Sequence, residues 1–176
     1  MRLIDWKRGA TMRIPAIILA ALAASATTAD AQEAPGLELL YRSVVTLSPA
    51  VEAGETPLGQ RRFIPITGGT FEGPDMKGEI LPMGWDWQLD TKDGCTHLTA
   101  DYFLKTDDGV IINIVNTGAI CGETPTRPAM PIRTSPVFEA PLGKYDWLNG
   151  GAYVGTLGFD QNEPQPSVII TVYKAN

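Results

Sequence analysis

Asp86 stands between Trp85 and Trp87, and Glu139 follows the apolar pair Val137 and Phe138. A carboxyl group set among apolar side chains has its pKa raised into the range useful for general acid–base work, which makes Asp86 and Glu139 the candidate catalytic residues. Arg62, Arg133, Tyr145 and Asn149 offer charge and hydrogen bonds with which to orient an oxyanion or a hydroxyl. Trp85, Trp87, Trp147 and Tyr145 offer walls for the apolar part of a guest. The chemistry within reach of this set is proton transfer: isomerisation, cyclisation, hydration or elimination on a small, partly apolar molecule. None of these needs a metal, a redox centre or a strong nucleophile, so no cofactor is expected.

Other chemistries are poorly served. His97 is the single histidine, so a His-rich zinc site cannot be assembled, and no metal site is expected. A Ser-His-Asp triad would have to use His97, and there is no Gly-x-Ser-x-Gly elbow to present the serine. The cluster Gly68-Gly69 with Gly73 does not match a dinucleotide fingerprint, and no crossover helix follows it.

The strand around Asp86 leaves two orientations open. Side chains alternate along a strand, so Asp86 faces away from both indoles. Either it points into a cavity while the tryptophans pack outward, or it is solvated while they fill the core. The remaining candidates have a structural reading beside the functional one, as hydrogen bonds that close a barrel end or cap a short turn. The functional alternative to catalysis is a carrier that holds an apolar ligand without changing it.

The elements that must position these groups are short strands. Leu37 to Leu47 reads as a long strand with Tyr41, Val45 and Leu47 on one face. Strands follow at Arg61 to Ile66, Lys77 to Leu81, Asp86 to Leu89, Thr134 to Glu139, Ala152 to Phe159 and Val168 to Tyr173. Gly68-Gly69, before Thr70-Phe71-Glu72, marks a bulge or sharp bend. Tyr145 to Asn149 is long enough for a turn or two of helix, and Pro125 to Pro131 reads as a loop within the domain. About 8–10 short strands without a βαβ alternation predict an all-β fold, a single antiparallel β-barrel of lipocalin or calycin type with at most one short helix.

Cys95 and Cys121 fall on two of these strands. Thr96 to Lys105 and Val110 to Ala119 flank Thr106-Asp107-Asp108-Gly109. A three-residue loop with Gly109 in the left-handed conformation sets Thr106 opposite Val110, so that paired residue numbers sum to 216. Cys95 and Cys121 satisfy that sum and are expected to form a cross-strand disulfide.

The chain has 176 residues, 44% hydrophobic and 19% charged, with 18 Gly, 14 Pro and net charge -6. These proportions fit one globular domain and exclude a disordered chain. Residues 1–31 read as a secretory signal: Arg2, Lys7, Arg8 and Arg13, an apolar run of about a dozen residues, then the small-x-small site Ala29-Asp30-Ala31, with Met12 as a second candidate start. Its removal leaves 145 residues, 32–176, with 10 basic and 18 acidic side chains and net charge -8. That balance argues against a nucleic-acid partner and against membrane association after cleavage. The expected partner is a small organic molecule, with homo-oligomerisation left open, and the expected location is exported, periplasmic or secreted.

The segment Pro57-Leu58-Gly59-Gln60-Arg61-Arg62 through Ile66-Thr67-Gly68-Gly69-Thr70-Phe71-Glu72-Gly73-Pro74 resembles the signature of the domain of unknown function 3237 family. Asp86-Trp87-Gln88, Thr106-Asp107-Asp108-Gly109, Asn116-Thr117-Gly118, Phe138-Glu139 and Tyr145-Asp146-Trp147-Leu148-Asn149 follow in the family's order, so the resemblance spans about Leu37 to Tyr173. It implies a small β-barrel in a family of unestablished biochemical role. Asp101 and Thr117 stand where family members commonly carry arginines. Most members are also cytoplasmic, without the signal segment and the cysteine pair.

Overall fold

The computed structural model describes residues 33–124, 128, 130–160 and 166–176. The signal segment expected over residues 1–31 lies outside the described residues, as do Pro125 to Arg127 and Ala129 of the expected loop.

Among the described residues ten strands follow one another: β1 (Leu37–Leu47), β2 (Val51–Thr56), β3 (Gly59–Glu72), β4 (Lys77–Ile80), β5 (Gly84–Asp90), β6 (Cys95–Thr106), β7 (Ile111–Cys121), β8 (Arg133–Glu139), β9 (Ala152–Asp160) and β10 (Ser167–Ala175). A short 3₁₀ turn, Asp146–Gly150, precedes β9. All pairings are antiparallel, and β1 pairs with both β10 and β3, which closes an eight-strand barrel. The strands β4 and β5 share one stave between β3 and β6, and β2 is a flap paired only with β3. The all-β barrel expected from the sequence is therefore the fold.

Two departures have physical causes. Arg61 to Ile66 and Thr70 to Glu72 belong to one continuous strand, β3, because the glycines between them bend it without ending it. The β1–β3 register slips there, from Thr46↔Gly68 to Leu47↔Ile66. Gly69 has φ +139°, and a Cβ on it would lie 2.1 Å from the Val44 carbonyl oxygen, so only glycine allows this approach. The flap strand β2 is the other: it carries two glutamates and a glycine, buries no side chain fully, and gives no alternating apolar signal.

The β6–β7 hairpin has the expected register throughout, from Lys105↔Ile111 to Cys95↔Cys121. Gly109 sits at φ +88°, and the loop closes with the Thr106 amide donating to the Val110 carbonyl at 2.9 Å. Cys95 and Cys121 form a disulfide.

Inward side chains make the core. One end of the barrel is filled by Tyr41, Phe71, Phe138 and Tyr153 in edge or tilted ring contacts and sealed by Leu148 and Tyr145 of the 3₁₀ segment. The other end is not packed solid.

Candidate functional site

Strand β5 alternates as a strand must, and the outcome decides the orientation left open by the sequence. Trp85 and Trp87 face outward, 44% and 46% exposed, and both pack against Phe63. Asp86 and Gln88 face the barrel interior, where they line a cavity of about 100 Å³. That space exceeds by several times the ~10–15 Å³ that one water needs. Its walls are otherwise largely aliphatic, with Ile64, Leu98, Leu157 and Ile170 among them.

A chain of polar contacts leads to the carboxyl group. Arg62, the inward neighbour of Gln88 across the β3–β5 ladder, is held by the Asp90 carboxylate through Nη1 and Nη2, at 2.5 and 3.3 Å. Its Nε donates to Gln88 Oε1 at 2.8 Å, and Gln88 Nε2 donates to Asp86 Oδ2 at 2.7 Å. Arginine has donors only, so it fixes which end of the Gln88 amide faces which partner. Asp86 Oδ2 is thereby an acceptor. Asp86 Oδ1 is buried without a hydrogen-bond partner of normal geometry among the described residues, so a proton on this carboxyl belongs on Oδ1.

Burial raises the Asp86 pKa above the usual carboxylate value; the Gln88 hydrogen bond, the Arg62 charge and the nearby Thr99 backbone amide offset part of the rise. Asp90, in contrast, is lowered, first by the Thr96 hydroxyl and then by Arg62. The two carboxyl groups at the ends of the chain are thus pushed in opposite directions, one toward a neutral acid and one toward a fixed anion.

Two more polar side chains face the same cavity. Tyr102 is 2% exposed and Asn116 3%, and the Tyr102 hydroxyl and Asn116 Oδ1 find no hydrogen-bond partner among the described residues. Tyr102 and Tyr41 bring their hydroxyls close enough to influence each other's ionisation, yet neither closes a hydrogen bond of normal geometry. Burial raises both phenol pKa values, and the Asp86 charge adds to the rise at Tyr102. Gly84 makes room for this arrangement, since a Cβ there would lie 2.4 Å from Tyr102 Cβ.

The structure brings only part of the expected set together. Asp86 and Arg62 share the interior network. Glu139 is on the outer face with Trp85 and Trp87, in an open groove that also takes in Asp101 and Asn113; it is separated from Asp86 by the barrel wall, because its position on β8 alternates with inward Phe138. Asp101 accepts from Asn113 Nδ2 at 2.7 Å in that groove.

Tyr145 and Asn149 belong to the sealed end. The Tyr145 hydroxyl donates to Asp108 Oδ1 at 3.1 Å, and the Asn149 side chain clasps Ala140 through both its backbone N–H, at 2.7 Å, and its C=O, at 3.0 Å. Trp147 lies under Lys174 Nζ, 5.1 Å from the ring centre. Arg133 is exposed and donates to the Ile132 carbonyl. The sequence carries no signal that singles out Gln88, Tyr102 and Asn116, although Gln88, two residues from Asp86 on one strand, shares its face by simple alternation. Among the described residues, no group of three or more His, Cys, Asp or Glu is placed to hold a metal ion.

A family model described as a protein of unknown function, DUF3237, matches residues 35–175. The chain belongs to this family. A DUF3237 relative at the level of sequence is a UPF0311 protein of Rhodopseudomonas palustris, 33% identical over 135 residues that cover 69% of this chain and 88% of the relative. A solved β-barrel-like protein of Acinetobacter baumannii superposes with a TM-score of 0.71 at 33% identity, covering 82% of this chain and 98% of that one. The hydroalkoxylation enzyme phnH of Penicillium herquei is 29% identical over 140 residues, 78% of this chain and 86% of the enzyme.

Proposed function

We propose that this barrel is an enzyme that binds a small, partly apolar molecule in its interior cavity and moves a proton to or from it with Asp86. The observation that carries the reading is the asymmetry of that carboxyl group. Oδ2 is pinned by Gln88, while Oδ1 is buried without a partner of normal geometry among the described residues, on a side chain that lines space a guest can fill. In its protonated form this carboxyl group can give its proton to a guest carbon or oxygen and take one back from a second site on the same molecule or, in a hydration, from the water that adds, so that the catalyst is restored. Isomerisation, cyclisation, hydration and elimination all fit that cycle. Addition of an O–H across a C=C, the reaction type in the name of the Penicillium herquei relative, belongs to the same class.

Arg62, Gln88, Tyr102 and Asn116 support it: Arg62 and Gln88 orient the acid, and Tyr102 and Asn116 face the guest. We also infer that the protein is exported. Support for this comes from the leader-like residues 1–31 and from the Cys95–Cys121 disulfide, a bond that persists in oxidising compartments.

The test is turnover of a panel of alkenols and alkenyl phenols followed by deuterium incorporation from D₂O. Wild-type protein is expected to label and convert at least one of them, and Asp86→Asn is expected to reduce the rate by about 10²–10⁴-fold. Full turnover by a folded Asp86→Asn variant overturns the assignment. An unmodified guest retained in native mass spectrometry, with no turnover of the panel, would replace catalysis by a carrier role.

A further inference from the structure

The polar atoms of the cavity are arranged around a gap. Asp86 on β5 pairs with Ala100 on β6, and Ala100 pairs with Asn116 on β7. Neighbouring strands lie about 4.8 Å apart, so the two polar side chains rise from positions about 10 Å apart. Only the methyl group of Ala100 stands between them. Tyr102, two residues along β6 and therefore on the same inward face, borders the gap from the sealed end. Asp86 Oδ1, Asn116 Oδ1 and the Tyr102 hydroxyl are all buried without a hydrogen-bond partner among the described residues. Buried polar atoms are almost always paired, and three left open on one wall of an otherwise apolar cavity mark a place where a guest supplies the pairing.

We propose that Asp86, Asn116 and Tyr102 form a seat for one neutral hydroxyl group carried by a compact apolar molecule. The proposal rests on the reading of this cavity as the substrate site and names the substrate class.

The donor and acceptor inventory selects the hydroxyl. Asn116 Oδ1 can only accept, so the guest must bring a proton; the Tyr102 hydroxyl can use its own proton on a guest oxygen that has a lone pair to accept it. An alcohol, phenol or enol does both. A ketone or an ether has no proton for Asn116. An ammonium group would bring a full charge into a largely aliphatic cavity, which costs far more than burying a neutral hydroxyl. A carboxylate would bring a full negative charge into a largely aliphatic cavity, and the guanidinium nearest to it, Arg62, is already engaged by Asp90 and Gln88. The size of the cavity, about 100 Å³, suits a single small ring.

Calorimetric titration of the intact, disulfide-bonded protein with cyclohexanol, cyclohexanone, cyclohexylammonium and cyclohexanecarboxylate tests this. Cyclohexanol is expected to bind at least about tenfold more tightly than cyclohexanone, and the two charged analogues more weakly than either. In Asn116→Leu the preference for alcohol over ketone is expected to fall to within about twofold. Ala100→Val, which fills the gap without removing a polar group, is expected to weaken cyclohexanol binding by about tenfold and serves where Asn116→Leu does not fold. Equal binding of alcohol and ketone by the wild type, retention of the preference in Asn116→Leu, or no binding of any analogue overturns the seat. Selective alcohol binding without Asp86-dependent turnover leaves the seat standing and removes catalysis. Asp86-dependent turnover with equal alcohol and ketone binding does the reverse.

Discussion

Gln88 donates through Nε2 to Asp86 Oδ2 at 2.7 Å while its own carbonyl oxygen is held by Arg62 Nε at 2.8 Å. The amide is thus oriented from outside, and it dictates which oxygen of the buried acid is free. Replacing Gln88 by Leu keeps the approximate volume but removes the one side-chain hydrogen bond that favours the Asp86 carboxylate. The Asp86 pKa, already raised by burial, is expected to rise further. If Asp86 is the proton donor, the high-pH fall of kcat/KM moves upward in Gln88→Leu. A profile that does not move shows that Asp86 does not set that limb.

The same shift has a signature in stability that does not require a substrate. Asp86 has a folded pKa above its unfolded value, so its contribution to stability is full below pH of about 3.9 and is lost as pH rises through the folded pKa. Asp86→Asn cannot ionise and escapes that loss. The melting temperature of Asp86→Asn relative to wild type is expected to improve as pH rises above about 4 and to level off once the folded pKa of Asp86 is passed. Asp108 works in the opposite sense. Its carboxyl is held down at about 2, first by the Lys144 hydrogen bond and then by Thr106, so its contribution is present above pH of about 3.9 and disappears as pH falls toward 2. Asp108→Asn is therefore expected to differ from wild type least at the acid end. A constant Asp86→Asn offset across the range would contradict the burial argument.

The disulfide joins the ends of β6 and β7 next to Leu98 and Ile120, both of which line the cavity. The chain-entropy relation for a loop with a sequence separation of 26 gives about 3.5 kcal/mol of stabilisation. The Cys95→Ala/Cys121→Ala double variant is expected to lose about that much in urea unfolding. Titration of the denatured, unreduced wild type should find no free thiol. Two reactive thiols would remove the bond and its energy together.

The β6–β7 hairpin was legible in the sequence because a short loop ending in a left-handed glycine leaves one register, and the cysteines could be checked against it. The facing of Asp86 was not legible. A Trp-Asp-Trp strand satisfies alternation either way round, and the deciding facts are remote: Phe63 provides an outer surface for both indoles, and Gly84 admits the Tyr102 side chain inside. Asn116 could not be joined to Asp86 without the β5–β6 register, which depends on the turn between Asp90 and Cys95. Tyr145 and Asn149 carry the right chemistry for a site, but their partners, Asp108 and Ala140, lie 37 and 9 residues away. Glu139 sits beside apolar residues in sequence, yet its strand turns it to the outer face.

Gly69 tests the bend in β3. With φ +139° and a Cβ that would fall 2.1 Å from the Val44 carbonyl oxygen, alanine there meets both backbone strain and a steric overlap that only main-chain movement relieves. Gly69→Ala is expected to destabilise by about 2–4 kcal/mol in denaturant unfolding, beyond the 1–3 kcal/mol usual for an unfavourable backbone region alone. Gly109→Ala, with a left-handed φ but nothing within 4 Å of its added Cβ, is expected to cost only about 1 kcal/mol. Equal costs at the two positions would show that the β1–β3 contact yields.

Asn149 holds the sealed end through two bonds to one residue, accepting from the Ala140 N–H and donating to the Ala140 carbonyl. Because this is the junction between β8 and the 3₁₀ segment that carries Leu148 into the core, losing it exposes two backbone groups and loosens the plug. Asn149→Ala is expected to cost about 1–3 kcal/mol in unfolding free energy. Asn149→Asp preserves the acceptor for the Ala140 N–H but sets a carboxylate against the Ala140 carbonyl, so it should recover little of that loss at neutral pH and more of it in acid, where a protonated carboxyl can donate again. The cavity stands at the other end of the barrel, so both variants should keep the alcohol-over-ketone preference of the wild type when measured well below their melting temperatures. Loss of that preference in Asn149→Ala would mean that the sealed end and the hydroxyl seat move together.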